Sequence, residues 1–107
     1  MKPLSDFERG MIAGILVGQG HFGGDGRQPQ LTLKMNVRHE RLLHWIHERL
    51  PGSKLYGPYE HDARRYFQLM ARGDSLRSVL DALGDALEID PHVADRVEKM
   101  RSLYDVR

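Results

Sequence analysis

Six residues that can bond to nucleic acid fall at every second position between 28 and 38: Gln28, Gln30, Thr32, Lys34, Asn36 and Arg38. Leu31, Leu33, Met35 and Val37 stand between them. Alternation of this kind predicts a strand with one buried and one wet face. The wet face carries amides that can make paired bonds to base edges, a hydroxyl, and cations that suit phosphates. A second hairpin adds Lys54, Tyr56, Arg64, Tyr66, Gln68 and Arg72. An ordinary solvated sheet mixes in carboxylates, yet no acid occurs from Gly26 to His39 or from Ala63 to Gly73. The acid-free face favours a nucleic-acid partner over plain solvation.

Other constellations carry less. Gly18-Gln19-Gly20-His21-Phe22-Gly23 has the spacing of a dinucleotide-binding loop. That motif needs a helix directly after the glycines, so that the phosphate sits on its N-terminus. Gly24-Asp25-Gly26-Arg27-Gln28-Pro29 follows instead and cannot be helical. His44 and His47 are three apart and could share a metal, but no third ligand is evident nearby. Ser5, Ser53, Ser75, Ser78 and Ser102 sit at expected turns or helix starts, where capping accounts for them better than a hydrolase triad.

The elements that position the polar face follow from the same pattern. Asp6 is placed to cap a first helix from Phe7 to Val17. Gly10, Gly14 and Gly18 form one stripe along it, with Ala13 beside them. Each glycine costs about 1 kcal/mol in a helix relative to alanine, so the stripe implies close approach of another backbone. Phe22 belongs to a short strand ahead of a glycine-rich turn. The alternating strand comes next, then a second helix from Glu40 to Leu50, stopped by Pro51-Gly52. Ser53–Tyr59 and Arg64–Arg72 form a hairpin about Glu60–Ala63, with Phe67, Leu69 and Ala71 pointing inward. A third helix runs from Asp74 or Ser75 to Leu87, and a fourth from His92 to Tyr104. The expected fold is α+β, in the order α-β-β-α-β-β-α-α, with a saddle-shaped antiparallel sheet and helices on one face.

With 107 residues, 40% hydrophobic and 29% charged, the chain is expected to be one soluble domain, residues 1–107. The stretch from Gly10 to Phe22 is too short and too broken by glycine to span a membrane, and no signal-peptide pattern fits. Cysteine is absent, which excludes disulfides and thiolate chemistry and is compatible with the cytoplasm. Charge is uneven. Residues 1–72 hold 11 Lys/Arg and 7 Asp/Glu, a net of +4, and residues 73–107 hold 5 and 8, a net of −3. An anionic partner would face the first part, but charge alone is better accounted for by chance and ordinary solvation.

Ile12-Ala13-Gly14-Ile15-Leu16-Val17-Gly18-Gln19-Gly20-His21-Phe22 resembles the signature of the LAGLIDADG homing endonucleases. The αββαββα order is similar to one half-unit of that fold. The resemblance implies a single-signature nuclease chain that pairs as a homodimer, with Gly10, Ala13, Gly14 and Val17 at the contact. Such a dimer reads a pseudo-palindromic double-stranded DNA site. The family is a metal-dependent hydrolase, with Mg²⁺ bound by an acid at the end of the signature helix. Here that position is Gln19, next to Gly18, and the earlier signature acid is replaced by Val17. An amide oxygen can ligate Mg²⁺ but brings no charge and cannot act as a base. The nearest acid, Asp25, matches no family position. The implied function is DNA binding of homing-endonuclease lineage with weak or absent cleavage. A non-catalytic DNA-binding regulator and an RNA-binding splicing factor are the alternatives.

Overall fold

The computed structural model describes residues 3–24 and 26–104; Asp25 lies outside them. It is an α+β fold. Helix α1 (Asp6–Gln19) leads into strands β1 (Gly20–Gly24) and β2 (Pro29–Asn36). Helix α2 (Glu40–Arg49) is followed by β3 (Lys54–His61), β4 (Arg64–Arg72), α3 (Gly73–Leu83) and α4 (Pro91–Tyr104). The strands form one antiparallel sheet in the order β1-β2-β4-β3, and the helices pack on one side of it. The αββαββα order and the helix-free second face are as expected. No helix among the described residues is long and apolar enough to cross a membrane.

The core lies between the sheet and the helices. Phe22, Leu31, Leu33, Phe67, Leu69 and Ala71 project from the strands and are buried. They meet Ile12 and Leu16 of α1, Leu43 and Ile46 of α2, and Leu76, Val79, Leu80 and Leu83 of α3 in one cluster. Burying a leucine completely contributes about 1.5–3 kcal/mol, and Leu31, Leu33, Leu43, Leu69, Leu76 and Leu83 are all buried to this degree. β1 is an edge strand, and α4 covers it. The Arg96 guanidinium donates to the Phe22 carbonyl at 3.1 and 3.3 Å, occupying an acceptor that another strand could otherwise use.

Local chemistry shifts several element ends. Ser5, not Asp6, caps α1: its hydroxyl accepts from the Glu8 N–H at 3.1 Å while the Glu8 carboxylate accepts from the Ser5 N–H at 2.8 Å. This reciprocal pair satisfies two free amides where a lone aspartate satisfies one. Asp6 instead meets Arg9 at 2.8 Å on the surface. The third helix stops at Leu83 because Gly84, with φ of 59°, turns the chain into a short 3₁₀ segment through Ile89. Leu87 is buried from that segment. Asp90 accepts from the Val93 N–H at 2.9 Å at the start of α4.

Glu8 also joins α1 to α2. Its second oxygen lies 2.6 Å from Arg49 Nε, and the Arg49 guanidinium stacks over the Trp45 ring at 4.3 Å. Phe7 meets the same ring edge-on at 6.3 Å. The Ser5 N–H first, and Arg49 second, hold the Glu8 carboxyl below its usual range. A carboxyl lowered in the folded state adds stability above its unfolded value, and that stability is lost as pH falls through the folded one. Glu8→Gln should therefore melt below the parent at neutral pH, and the two should converge once both are acidified below the carboxylate range. Parallel melting curves from neutral to acid pH check this; a constant gap at all pH values would contradict it.

Candidate nucleic-acid interface

The outer face of the sheet is built in rows by the strand register. His21 faces Thr32, Thr32 faces Met70, and Met70 faces Lys54. Lys34 faces Gln68, which faces Tyr56. Asn36 faces Tyr66, which faces Tyr59, and Gln30 faces Arg72. The sequence-predicted residues Gln30, Thr32, Lys34, Asn36, Lys54, Tyr56, Arg64, Tyr66, Gln68 and Arg72 thus lie on strands of one sheet, most of them in these rows. Met70 is the apolar member of the face and is nearly covered, with Arg72 Nε 3.1 Å from its sulfur.

Two expected members leave the strand. Gln28 precedes β2, and its side-chain oxygen occupies the space that a Cβ on Gly73 would fill, at the junction of β4 and α3. Arg38 sits in a 3₁₀ turn, Val37–His39, where its N–H donates to the Asn36 side-chain oxygen at 2.9 Å. Asn36 ends the alternating strand by capping this turn, which turns Arg38 out of the row. A short polar side chain that bonds two residues ahead is a turn signal that competes with strand pairing.

A cavity of about 360 Å³ opens where α1 meets the outer face. Gln19, His21, Gln30, Thr32, Lys34 and Gln68 line it. The Gln30 amide donates to the Thr32 hydroxyl at 3.1 Å. Gln19 is the last residue of α1 and is exposed. The chain turns directly from helix to strand because Gly20 lies against Leu16: a Cβ there would be 2.7 Å from the Leu16 carbonyl. The oxygen donors offered to a cation are neutral, and Lys34 adds positive charge. Among the described residues no carboxylate lines the cavity, and no group of three or more His, Cys, Asp or Glu able to hold a metal occurs. The donor set at Gln19 and Gly18 does not fit Mg²⁺, a hard cation that prefers carboxylates.

The two histidines of α2 part company. His44 faces Glu40 at 3.6 Å on the surface, while His47 Nδ1 lies 3.0 Å from the buried Ser53 hydroxyl. Ser53 Oγ also lies 2.9 Å from the Leu50 carbonyl, so this pair stitches the end of α2 to the following turn.

Along α1, Gly10, Gly14 and Gly18 are exposed, and a Cβ on any of them would meet nothing within 4 Å. Phe7 and Met11, exposed by 72% and 41%, lie on the same helix. Among the described residues nothing occupies the space a side chain at these glycines would take. Ala13 is turned into its own chain's core, and Val17 packs against that core half-buried. Of the four residues expected at a dimer contact, Gly10 and Gly14 are free to make one.

Sequence periodicity missed His21 and Tyr59. His21 alternates with the buried Phe22 in a strand too short for the pattern to show. Tyr59 is re-aimed by a bulge between Tyr56 and Tyr59, so that two residues three apart share one face. Gly57 makes the bulge, with φ of 118° and a Cβ position 3.0 Å from the Tyr66 carbonyl and 3.2 Å from the Tyr59 nitrogen. The glycine within a strand pattern was the available signal.

Comparison with protein-family models and with curated proteins finds no match to this chain.

Gly57→Ala should cost about 1–3 kcal/mol, because it forces a strained backbone into a filled space. It should also separate the Tyr59 and Tyr66 rings. Denaturant unfolding and ring-to-ring NMR contacts check both; unchanged stability with intact ring contacts would mean that the bulge does not depend on this glycine.

Proposed function

We propose that this chain binds double-stranded DNA sequence-specifically, as a cytoplasmic homodimer of LAGLIDADG-endonuclease lineage, with cleavage weak or absent. The observation that carries the reading is the helix-free outer face, whose strand rows present amides, a hydroxyl and cations on β2 and β4 without a carboxylate on either strand. Gln30 and Gln68 supply donor–acceptor pairs that match adenine edges in a major groove. Lys34, Lys54, Arg64 and Arg72 supply charge for phosphates and set the register on the duplex. The exposed Gly10, Gly14 and Gly18 stripe supports a close helix-to-helix contact between two copies, which would place two outer faces on one duplex.

Gln19 separates binding from hydrolysis. Its amide leaves the helix end neutral where a carboxylate would meet the partial negative charge of the C-terminal carbonyls. A non-catalytic regulator uses the same face, and the neutral Gln19 at the helix end favours that variant of the reading over active cleavage. Gln19→Glu should lower the melting temperature without divalent ions and recover it when Mg²⁺ is added. The unsubstituted chain should melt alike with and without Mg²⁺. Equal curves for both proteins in both conditions would detach position 19 from any cation site.

Selection on a randomised duplex library, followed by binding measurements over a salt series, tests the main reading. Arg72→Ala should weaken all sequences alike and reduce the salt slope by about 1. Gln30→Ala should relax preference at particular base pairs by about 1–3 kcal/mol. If neither change alters duplex affinity or preference, the outer face is not the binding surface.

A further inference from the structure

We propose that the β3–β4 end of the outer face is also a subsite for an unpaired nucleotide, which stacks its base on Tyr59 and Tyr66 and sets its phosphate against Lys34 and Arg64, two cations that the duplex reading shares. The rings of Tyr59 and Tyr66 lie 5.6 Å apart at 47°, and Tyr56 joins them on the same face. Tyr56 and Tyr59 are 42% and 43% exposed. The core lies on the opposite face, and none of the three belongs to it. They are gathered there by the Gly57 bulge; a strand of plain period two would send Tyr56 and Tyr59 to opposite faces.

Cations stand beside Tyr66. Lys34 Nζ lies 5.8 Å from the Tyr66 ring centre. Lys34, Met35, Asn36, His61, Arg64, Arg65 and Tyr66 line a cavity of about 330 Å³ around the open end of the sheet, at the small end of ligand-sized pockets; Arg64 lies on the Tyr66 side of β4 and Arg65 on the Phe67 side. The cavity lies where β4 outruns its neighbour: β2 ends at Asn36 opposite Tyr66, and Arg64 and Arg65 continue beyond it. The acids at this end are Glu60, opposite Arg65, and Asp62, held 3.2 Å from His61; neither lines the cavity. Exposed aromatic faces beside cations are what single-stranded nucleic acid requires, because stacking accepts any base and the charge follows the backbone. Base faces inside a duplex are already stacked, so the ligand class is an unpaired or extruded nucleotide. This inference does not depend on duplex binding.

The test compares a short oligothymidylate with an abasic strand of the same length, which keeps the phosphates and removes the bases. Fluorescence anisotropy should show tighter binding of the thymidylate by about 5- to 150-fold for one stacked base. Tyr59→Ala should abolish that difference while Tyr59→Phe keeps it, and Arg64→Ala should weaken both strands alike. Equal affinity for the two strands, or a difference that survives Tyr59→Ala with Tyr66→Leu in a folded protein, would overturn the inference. Duplex affinity measured in the same series separates the two readings. Thymidylate discrimination without duplex binding supports the subsite alone, and duplex binding without discrimination removes it.

Discussion

The burial of Leu31, Leu33 and Leu69 against α1, α2 and α3 is the contact on which the rest of the molecule depends. Side chains alternate strictly along a strand, so fixing these residues in the core sends Gln30, Thr32, Lys34 and Gln68 to the opposite face. A shift of one residue in the register would bury Lys34 and Gln68 and expose the leucines. The polar face is therefore held in place by the apolar one. The helices, all on the core side, leave it open to a large partner.

α1 connects this core to the surface at two further points. Its buried side, Ile12, Ala13 and Leu16, seats the helix on the sheet. Its other side carries glycines where an added Cβ would meet nothing within 4 Å among the described residues. Its end delivers Gln19 to the rim of the polar face, because Gly20 permits the chain to enter β1 against Leu16 without an intervening loop. One helix thus packs the core, exposes a smooth stripe and positions the residue at the polar cavity. At its start, Ser5, Glu8 and Arg49 tie it to α2 through a cap and an ion pair that share one carboxylate.

Long periodic features were legible in the sequence. The alternation of β2 and β4 and the apolar spacing of α2 specify their elements, and the order αββαββα follows from them. Most of the polar rows were readable for the same reason. What escaped were features decided by a few atoms. Asp6 and Ser5 are both good caps in isolation; Glu8, three residues after Ser5, decides between them. Asn36 continues the alternation by type but bonds forward to Arg38 and ends the strand. Gly84 ends α3 within a run that keeps its apolar spacing to Leu87. The inversion of Tyr59 requires a bulge, which breaks period two and so falls outside any argument based on it. The glycine stripe implied a close contact, but only the structure separates the exposed Gly10 and Gly14 from the buried Ala13.

The most direct test of the account is an NMR titration of the uniformly labelled protein with duplex DNA taken from library selection, with cross-saturation from the DNA to locate the contact. The account predicts that His21, Gln30, Thr32, Lys34, Gln68 and Arg72 lose intensity, while exposed positions on α2 and α3 such as Arg41, Glu48, Arg77 and Asp81 do not. Saturation transfer centred on those helix positions, with the strand rows unaffected, would contradict it.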